Sequence, residues 1–182
     1  MKILGISGSL RKASYNSSLL RAAVSLAPDG VDIITADISE IPLYNEDVRA
    51  LGFPPVVEAF REQIRAADGL LFVTPEYNYS MPGVLKNAID WASRPPDQPF
   101  SGKPAGVMGA SMGFAGTARA QYHLRQSGVY LNLHFMNQPE VFVTVAQEKF
   151  DEQGNIKDDR TRESVRKFLA AFAGFVKSQQ PA

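Results

Sequence analysis

The chain has 182 residues, 45% of them hydrophobic and 21% charged, and its 19 basic side chains balance its 19 acidic ones. This size and composition predict one globular domain spanning residues 1–182. A neutral chain gives no reason to expect nucleic acid or a membrane as a partner. Because it contains no cysteine, the chain has no disulfide, thiolate nucleophile or cysteine-ligated iron–sulfur cluster.

The sequence also disfavours metal binding and secretion. The two histidines, His123 and His134, do not form an HExxH pattern, so we predict no metal site. The N-terminal residues are typical of a β-strand, with no basic segment followed by a long apolar run, and no span of about 20 apolar residues follows. We therefore expect a cytoplasmic protein.

In chain order, short apolar runs alternate with amphipathic helical stretches. The predicted strands are residues 2–7, 31–36, 70–74 and 104–111, and a fifth position shared by residues 130–133 and 141–145. The first predicted helix ends before Pro28. The next three run from Pro54 to about Ala67, from Pro82 to Trp91 and over residues 116–128. The last predicted helix has its apolar positions at Val165, Phe168, Leu169, Phe172 and Val176.

This alternation predicts an α/β fold, with an open, doubly wound, five-stranded parallel sheet in the order 2-1-3-4-5 and helices on both faces. The unbroken apolar run at residues 70–73 is typical of a central strand. In such a sheet a ligand lies beyond the carboxyl ends of the strands, at the switch point between strands 1 and 3. The loops after Ser7, Thr74 and Ala110 therefore form the candidate site.

The loop after the first strand, residues 8–18, is rich in hydroxyls and small residues. Because it leads into a helix, free N–H groups and the positive end of the helix dipole favour an anion there. The hydroxyls of Ser9 and Ser17, the amide of Asn16 and the guanidinium of Arg11 are suited to complete a monophosphate cradle. The alternative is plain N-capping within the loop, with Arg11 in solvent. The loop as a whole favours phosphate.

The loop after the third strand, residues 74–83, combines fixed backbone with flat side chains. Its prolines restrict the chain, and Tyr77 and Tyr79 offer flat surfaces. Glu76 and Asn78 carry groups that hydrogen-bond a ring edge. This composition favours a planar heterocycle, and the alternative is aromatic packing within the loop.

The loop after the fourth strand, residues 109–117, is rich in glycine. Glycines permit close approach of the backbone to a ring, and the N–H groups are suited to donate to ring carbonyls. The alternative is a glycine-rich turn that serves only the topology.

Other nucleotide and phosphoryl-transfer sites fit the sequence less well. There is no GxxxxGK[ST] pattern, so the first loop is not a P-loop, and no GxGxxG fingerprint for a dinucleotide follows the first strand. Response-regulator chemistry needs carboxylates where this chain has Ser7 and Ser9. A mononucleotide is the better match.

Together the three loops resemble the NADPH-dependent FMN reductase family of the flavodoxin-like superfamily, which includes chromate, quinone and azo-dye reductases. The motifs that carry the resemblance are Gly8-Ser9-Leu10-Arg11 with Ser14 and Asn16, Pro75-Glu76-Tyr77-Asn78 with Pro82-Gly83 and Lys86-Asn87-Ala88-Ile89-Asp90-Trp91, and Gly109-Ala110-Ser111 with Gly113. The resemblance extends to about residue 145, and the Pro-Glu-Tyr-Asn motif is its specific part. Residues 146–182 carry no motif.

The resemblance implies bound FMN, NADPH or NADH as electron donor, ping-pong hydride transfer and a homodimer or homotetramer. By motif position, the residues implied at the phosphate end are Ser9, Leu10, Arg11, Asn16 and Ser17. Those implied around the isoalloxazine ring are Pro75, Glu76, Tyr77, Asn78 and Tyr79, with Ser111 and Gly113 beside it. No catalytic side chain is expected, because the flavin N5 carries the chemistry.

We therefore predict an FMN-dependent NAD(P)H oxidoreductase whose small-molecule acceptors are quinones, azo or nitro compounds, chromate or free flavin. Two alternatives stay open, a non-enzymatic electron carrier like flavodoxin and an FMN-bearing module that binds a partner. Carriers of this kind are usually strongly acidic, whereas this chain is neutral, which favours an enzyme. The sequence does not distinguish NADH from NADPH.

A flavin at the shallow mouth of one domain needs a further wall, which we expect from a second subunit through residues 42–49 or the helix after Pro82. Arg119 and Tyr122 share a helix face because they are three residues apart. The family's tetramers suggest a contact between dimers that involves Tyr79, Arg119, Tyr122 and Glu140. The alternative is that Arg119 and Glu140 are solvated surface charges.

Overall fold

Six β-strands form one parallel sheet in the computed structural model, which describes residues 1–180. The strands are β1 (Lys2–Ser7), β2 (Asp32–Ala36), β3 (Gly69–Val73), β4 (Pro104–Ala110), β5 (His134–Phe135) and β6 (Val141–Val143). The order is β2-β1-β3-β4-β5, and β6 pairs with β4 further along than β5 does. The predicted α/β fold and strand order are confirmed.

The fifth sheet position is shared by two short strands, as predicted, but the first of them lies further along the chain than expected. β5 pairs with the first two residues of β4, and β6 pairs with its last three. Residues 130–133, predicted as a strand, instead end a helix and form a turn in which Asn132 has a φ of 54°. Leu131 and Leu133 are buried. The apolar residues alternate with polar ones here because the turn buries Leu131 and Leu133, and not because the segment is a strand.

The described part of the chain contains six α-helices, α1 (Tyr15–Ser25), α2 (Glu46–Arg49), α3 (Pro55–Ala66), α4 (Gly83–Ala92), α5 (Ala118–Tyr130) and α6 (Asp159–Ser178). The short α2 is not among the predicted helices, and it begins where the Asn45 side chain accepts from the Asp47 N–H at 2.8 Å. Pro82 caps α4 and lies just before its first turn. No helix within residues 1–180 combines the length and apolar composition that crossing a membrane requires.

Two hydrophobic clusters lie on opposite faces of the sheet. Because successive side chains of a strand point to opposite faces, Leu70 and Phe72 of β3 join one cluster, and Leu71 and Val73 join the other. Residues of α3, α4 and α5 complete the first cluster, and residues of α1 and α6 complete the second. The sheet is therefore covered on both faces, and its carboxyl edge is where loops collect.

The last helix, α6, packs closely on the second face. A Cβ built on Gly106 would lie 3.0 Å from Phe168 and 3.2 Å from Phe172, and one built on Gly69 would lie 2.8 Å from Val176. These glycines of β3 and β4 let α6 approach the sheet. The segment after residue 145, which carries no sequence motif, thus covers the core.

Candidate functional site

Three loops meet at the carboxyl edge of the sheet. Ser7 of β1 lies opposite Val73 of β3, which lies opposite Met108 of β4. The Gly8 N–H donates to the Val73 carbonyl at 2.9 Å, and the Thr74 N–H donates to the Met108 carbonyl at 3.1 Å. The first loop (residues 8–14), the second loop (residues 74–82) and the third loop (residues 111–117) therefore lie side by side.

The first loop ends at the N-terminus of α1, where several backbone N–H groups are free. Ser14 is the N-cap, and its Oγ accepts from the N–H groups of Asn16 at 3.2 Å and Ser17 at 3.4 Å. Within residues 1–180, the N–H groups of residues 10–13 and of Tyr15 donate to no protein acceptor. Free N–H groups at the positive end of a helix dipole favour a bound anion.

Hydroxyl groups cluster beside these N–H groups. The Ser7 Oγ lies 3.0 Å from the Ser17 Oγ and accepts from the Ser9 N–H at 3.3 Å. Ser7 therefore links two of the predicted residues, Ser9 through its backbone N–H and Ser17 through its hydroxyl. Ser7 is not among the predicted site residues, and its place as the last residue of β1 is the signal that indicates it.

Leu10 and Arg11 lie at the exposed rim of the first loop. The Arg11 guanidinium carbon is 5.6 Å from the centroid of the Tyr15 ring. In the part of the chain that the structure describes, no carboxylate lies within salt-bridge distance of Arg11. Arg11 is thus available to pair with an anion.

The Asn16 side chain points into the protein. It is 3% exposed, its Nδ2 donates to the Ala110 carbonyl at 2.9 Å, and its Oδ1 accepts from the Ala110 N–H at 2.9 Å. Both ends of the amide are thus used by the backbone at the end of β4. The Asn16 side chain therefore joins α1 to β4, and its contact with phosphate stays a prediction.

A tight turn at the tip of the second loop carries its tyrosines. Tyr77 and Ser80 exchange backbone hydrogen bonds of 2.9 and 3.0 Å. Asn78 and Tyr79 have φ angles of 51° and 67°, the left-handed pair of a type I′ turn. Asparagine adopts this conformation readily, whereas it costs a residue such as Tyr79 about 1–2 kcal/mol. The turn therefore needs contacts from outside.

The start of α5 supplies those contacts. The Glu76 carboxylate accepts from the N–H groups of Arg119 at 3.0 Å and Ala120 at 3.1 Å, and from the Arg119 Nη1 at 3.2 Å. The Arg119 guanidinium carbon lies 3.9 Å from the centroid of the Tyr79 ring, a close cation–π contact. Glu76, predicted to bond a ring edge, is therefore bound to the N-terminus of α5.

A further contact of α5 with the turn comes from His123. Its Nδ1 lies 3.0 Å from the Ser80 Oγ. His123 is not among the predicted site residues. Its spacing of four from Arg119, on the same helix face, is the signal that indicates it.

The third loop is fixed at its base and exposed at its tip. The Ser111 N–H donates to the Val143 carbonyl at 2.9 Å, and the Ser111 Oγ accepts from the Gly113 N–H at 3.1 Å. Met112 is 63% exposed and Phe114 is 91% exposed. Ser111 and Gly113 therefore lie at the mouth of the sheet, flanked by exposed apolar side chains.

Gly109 marks a close approach within the protein. A Cβ built there would lie 2.2 Å from the Thr117 Oγ1 and 2.3 Å from the Thr74 carbonyl oxygen. Both threonines are fully buried. This glycine of β4 was predicted to allow approach to a ring, and the structure shows that it makes room for the second loop and the start of α5.

The residues predicted for a contact between dimers form a partly exposed surface. Tyr79 and Tyr122 are 63% and 56% exposed, and the Arg119 side chain is 45% exposed although it bonds to Glu76. Glu140 is partly exposed just before β6.

The comparisons with known proteins cover all three loops. The family model of NADPH-dependent FMN reductases matches residues 1–148. The chain is 66% identical over 177 residues to an NAD(P)H-dependent FMN reductase of Pseudomonas aeruginosa, across 97% of this chain and 96% of that protein. It is 48% identical over 179 residues to a quinone reductase of Escherichia coli, across 97% and 95%. A solved flavoenzyme NAD(P)H:(acceptor) oxidoreductase from Paracoccus denitrificans superimposes with a TM-score of 0.90 at 35% identity, over 98% of both chains.

Proposed function

Because the chain belongs to the NADPH-dependent FMN reductase family, we propose that it passes electrons from NAD(P)H through bound FMN to quinones and related small acceptors. Its class is that of an NAD(P)H-dependent flavoprotein oxidoreductase, and its cofactor is FMN. Quinones are supported as acceptors by similarity to the quinone reductase of Escherichia coli. Azo and nitro compounds, chromate and free flavin are the other proposed acceptors.

The observation that carries the proposal is the start of α1. Several of its N–H groups and Arg11 have no acceptor or carboxylate partner within residues 1–180, and with the Ser7 and Ser17 hydroxyls and the nearby Ser9 they offer the donor set that a phosphate monoester needs. The FMN phosphate is therefore assigned to this loop, with Leu10 at its rim. Asn16 contributes by holding α1 against β4.

The ring of FMN is assigned to the second and third loops, which lie beside the first. When bound, FMN supplies the hydride chemistry, and the protein orients it and excludes water. Glu76 acts through its hold on α5. The residues proposed to lie along the ring are Pro75, Tyr77, Asn78, Tyr79, Ser111 and Gly113.

Donor and acceptor are proposed to use one binding surface in turn, a ping-pong mechanism. The exposed Met112 and Phe114 flank the mouth where both would bind. An apolar rim of this kind favours flat, partly apolar molecules such as nicotinamide and quinone rings. One shared surface requires the oxidised donor to leave before the acceptor binds.

The test is cofactor release followed by steady-state kinetics. We expect FMN when the released cofactor is compared with FMN and FAD standards, and oxidation of NAD(P)H with benzoquinone that gives parallel double-reciprocal plots. FAD, or no flavin after reconstitution, contradicts the proposal. Turnover that needs a separate reductase favours an electron carrier or a partner-binding module, and intersecting plots contradict only the ping-pong step.

Arg11→Ala tests the phosphate assignment. Losing a charge-assisted hydrogen bond, worth roughly 1.5–3 kcal/mol, should weaken FMN binding about tenfold or more while leaving the apoprotein folded. Flavin titration followed by fluorescence measures the affinity. Lys177→Ala, an exposed cation in the last turn of α6, is the control and should bind FMN normally. Unchanged affinity of Arg11→Ala would show that its side chain stays in solvent.

A homodimer or homotetramer is proposed to supply the missing wall of the site. The loop around α2 exposes Leu43 and Leu51 to 85% and 93%, which supports this loop as a subunit contact. The surface of Tyr79, Arg119, Tyr122 and Glu140 is proposed for the contact between dimers. Sedimentation at several concentrations tests both, because a monomer that binds FMN tightly would contradict the shared wall.

A cytoplasmic location is also proposed, because the reduced nicotinamide donor is produced inside cells. Fractionation of the source cells, with the protein followed by antibody, tests this location. Recovery in a secreted fraction would contradict it.

A further inference from the structure

A basic groove runs from the first loop down the outer surface of α1. Its upper part is lined by Arg11, Lys12 and Arg21, and its lower part by Arg21 and Arg162. Ser18, Arg21 and Gly154 line both parts, so the two parts lie next to each other. Their volumes are ≈ 420 and ≈ 340 Å³, enough for a phosphorylated sugar.

Three cations of the groove have no acidic partner. Within residues 1–180, no carboxylate lies within 4.0 Å of the charged nitrogens of Arg11, Lys12 or Arg21. Arg162, in contrast, pairs with Asp159. Because Arg11 is already assigned to the FMN phosphate, Lys12 and Arg21 are the two cations left without a carboxylate partner within residues 1–180.

Two carboxylates, Asp151 and Glu152, also line the upper part and offset some of its positive charge, but within residues 1–180 neither forms an ion pair with a cation of the groove. Asp151 accepts from the Asn155 N–H at 2.7 Å and from the Asn155 Nδ2 at 3.1 Å, and these hydrogen bonds lower the pKa of its carboxyl. Its oxygens are thus directed into their own turn. Glu152 is exposed to solvent, where water screens it.

Arg21 is held in place by its neighbours. Its Nη2 donates to the Ser18 Oγ at 2.9 Å. Gly154 has a φ of 81°, and a Cβ built on it would lie 2.6 Å from the Arg21 Nη2 and 2.4 Å from the Ser18 Oγ. The turn at residues 151–155 therefore packs directly on this guanidinium. A cation fixed in this way loses little freedom when it binds an anion.

We propose that this groove binds the 2′-phosphate on the adenosine half of NADPH, and that Arg21 and Lys12 distinguish NADPH from NADH. The inference rests on the proposed function, which places the nicotinamide at the second and third loops. The first loop, where the groove begins, lies beside the second loop. The 2′-phosphate is the one group that NADPH has and NADH lacks, and its charge needs unpaired cations such as these.

The test compares nucleotides with and without the 2′-phosphate on the holoenzyme. Arg21→Gln and Lys12→Gln remove charge while keeping side-chain length. Each should raise the KM for NADPH about tenfold and change the KM for NADH less than about twofold. By calorimetry, each should weaken binding of adenosine 2′,5′-bisphosphate about tenfold and leave binding of 5′-AMP unchanged. Arg21→Lys should restore most of the bisphosphate affinity.

Lys177→Gln is the matched control, because Lys177 is an exposed cation at the far end of α6. Equal losses for both nucleotides, or no loss for either, would overturn the groove assignment and leave the oxidoreductase proposal standing. If the wild-type protein oxidises neither nucleotide, the proposed function fails. In that case the calorimetry with adenosine 2′,5′-bisphosphate still decides whether the groove binds the 2′-phosphate.

Discussion

The first and second loops border the same mouth but are held in opposite ways. Several backbone N–H groups of the first loop have no acceptor in the described residues 1–180, and the loop is anchored by Asn16, whose two hydrogen bonds to Ala110 are buried. The second loop contains a left-handed turn, and α5 holds this turn in place through the partly exposed contacts of Arg119 with Glu76 and Tyr79.

Because of this difference, we expect substitutions in the two loops to affect different properties, the stability of the protein for the first loop and the surroundings of the flavin ring for the second. Breaking buried hydrogen bonds leaves unpaired groups and is costly, whereas exposed ion pairs contribute little to the free energy of unfolding. Loss of a first-loop anchor should therefore unfold the site. Loss of a second-loop anchor should move the ring's surroundings while the fold survives.

The largest effect is expected from Asn16→Ala. The Ala110 N–H and carbonyl would be left buried without partners, at about 1–3 kcal/mol each, so the free energy of unfolding should fall by about 2–6 kcal/mol. Urea unfolding of the apoprotein measures this. Asn137→Ala, at an exposed asparagine, is the control and should change stability little. A loss under about 1 kcal/mol for Asn16→Ala would break the comparison.

Gly109→Ala should be the next most damaging. Its Cβ would collide with the Thr117 Oγ1 and with the Thr74 carbonyl, which is backbone and cannot rotate away. We expect a loss of about 2–3 kcal/mol from this overpacking. Gly83→Ala, where a Cβ meets nothing within 4 Å at the start of α4, should be neutral or slightly stabilising in the same unfolding experiment. Equal effects at the two glycines would refute the crowding argument.

Ser14→Ala removes the N-cap of α1 and should cost about 1 kcal/mol. FMN affinity should fall as well, because the start of α1 would no longer be fixed. Asp158→Ala removes the N-cap of α6 and serves as the control. It should lower the thermal midpoint without changing the flavin titration. If both substitutions weakened FMN binding equally, the effect of Ser14 would be one of general stability.

The smallest effect on stability, below about 1 kcal/mol, is expected from Arg119→Ala. The Tyr79 ring would lose its cation and Glu76 one of its donors, so the flavin absorbance spectrum and the kcat with benzoquinone should change. Lys86→Ala, which removes a surface pair with Asp90, should leave both unchanged. Sedimentation of both variants and the wild type should show whether they have the same oligomeric state, so that their spectra and kcat can be compared. An altered melting temperature with an unaltered spectrum would assign Arg119 to packing alone.

The sequence located the three loops, and the structure shows which protein groups their side chains contact. Strand periodicity and helix faces depend on local spacing, so the sheet order and the loops after Ser7, Thr74 and Ala110 follow from pattern alone. The grouping of Ser9 and Ser17 around Ser7 was also within reach, because all three residues are close in the sequence. Residues 130–133 misled the pattern, because a buried turn has the same apolar alternation as a strand.

Only the tertiary structure shows which groups the side chains of Asn16, Glu76 and Arg21 contact. Asn16 bonds to a residue 94 positions away, and Glu76 bonds to one 43 positions away, so no local pattern indicates either partner. Arg21 borders a groove only because the turn at residues 151–155 folds back onto α1. Local sequence determined where polar side chains cluster, because backbone propensity and apolar spacing are local. Which groups stay free for a ligand depended on distant partners, because hydrogen bonds and ion pairs are satisfied through space.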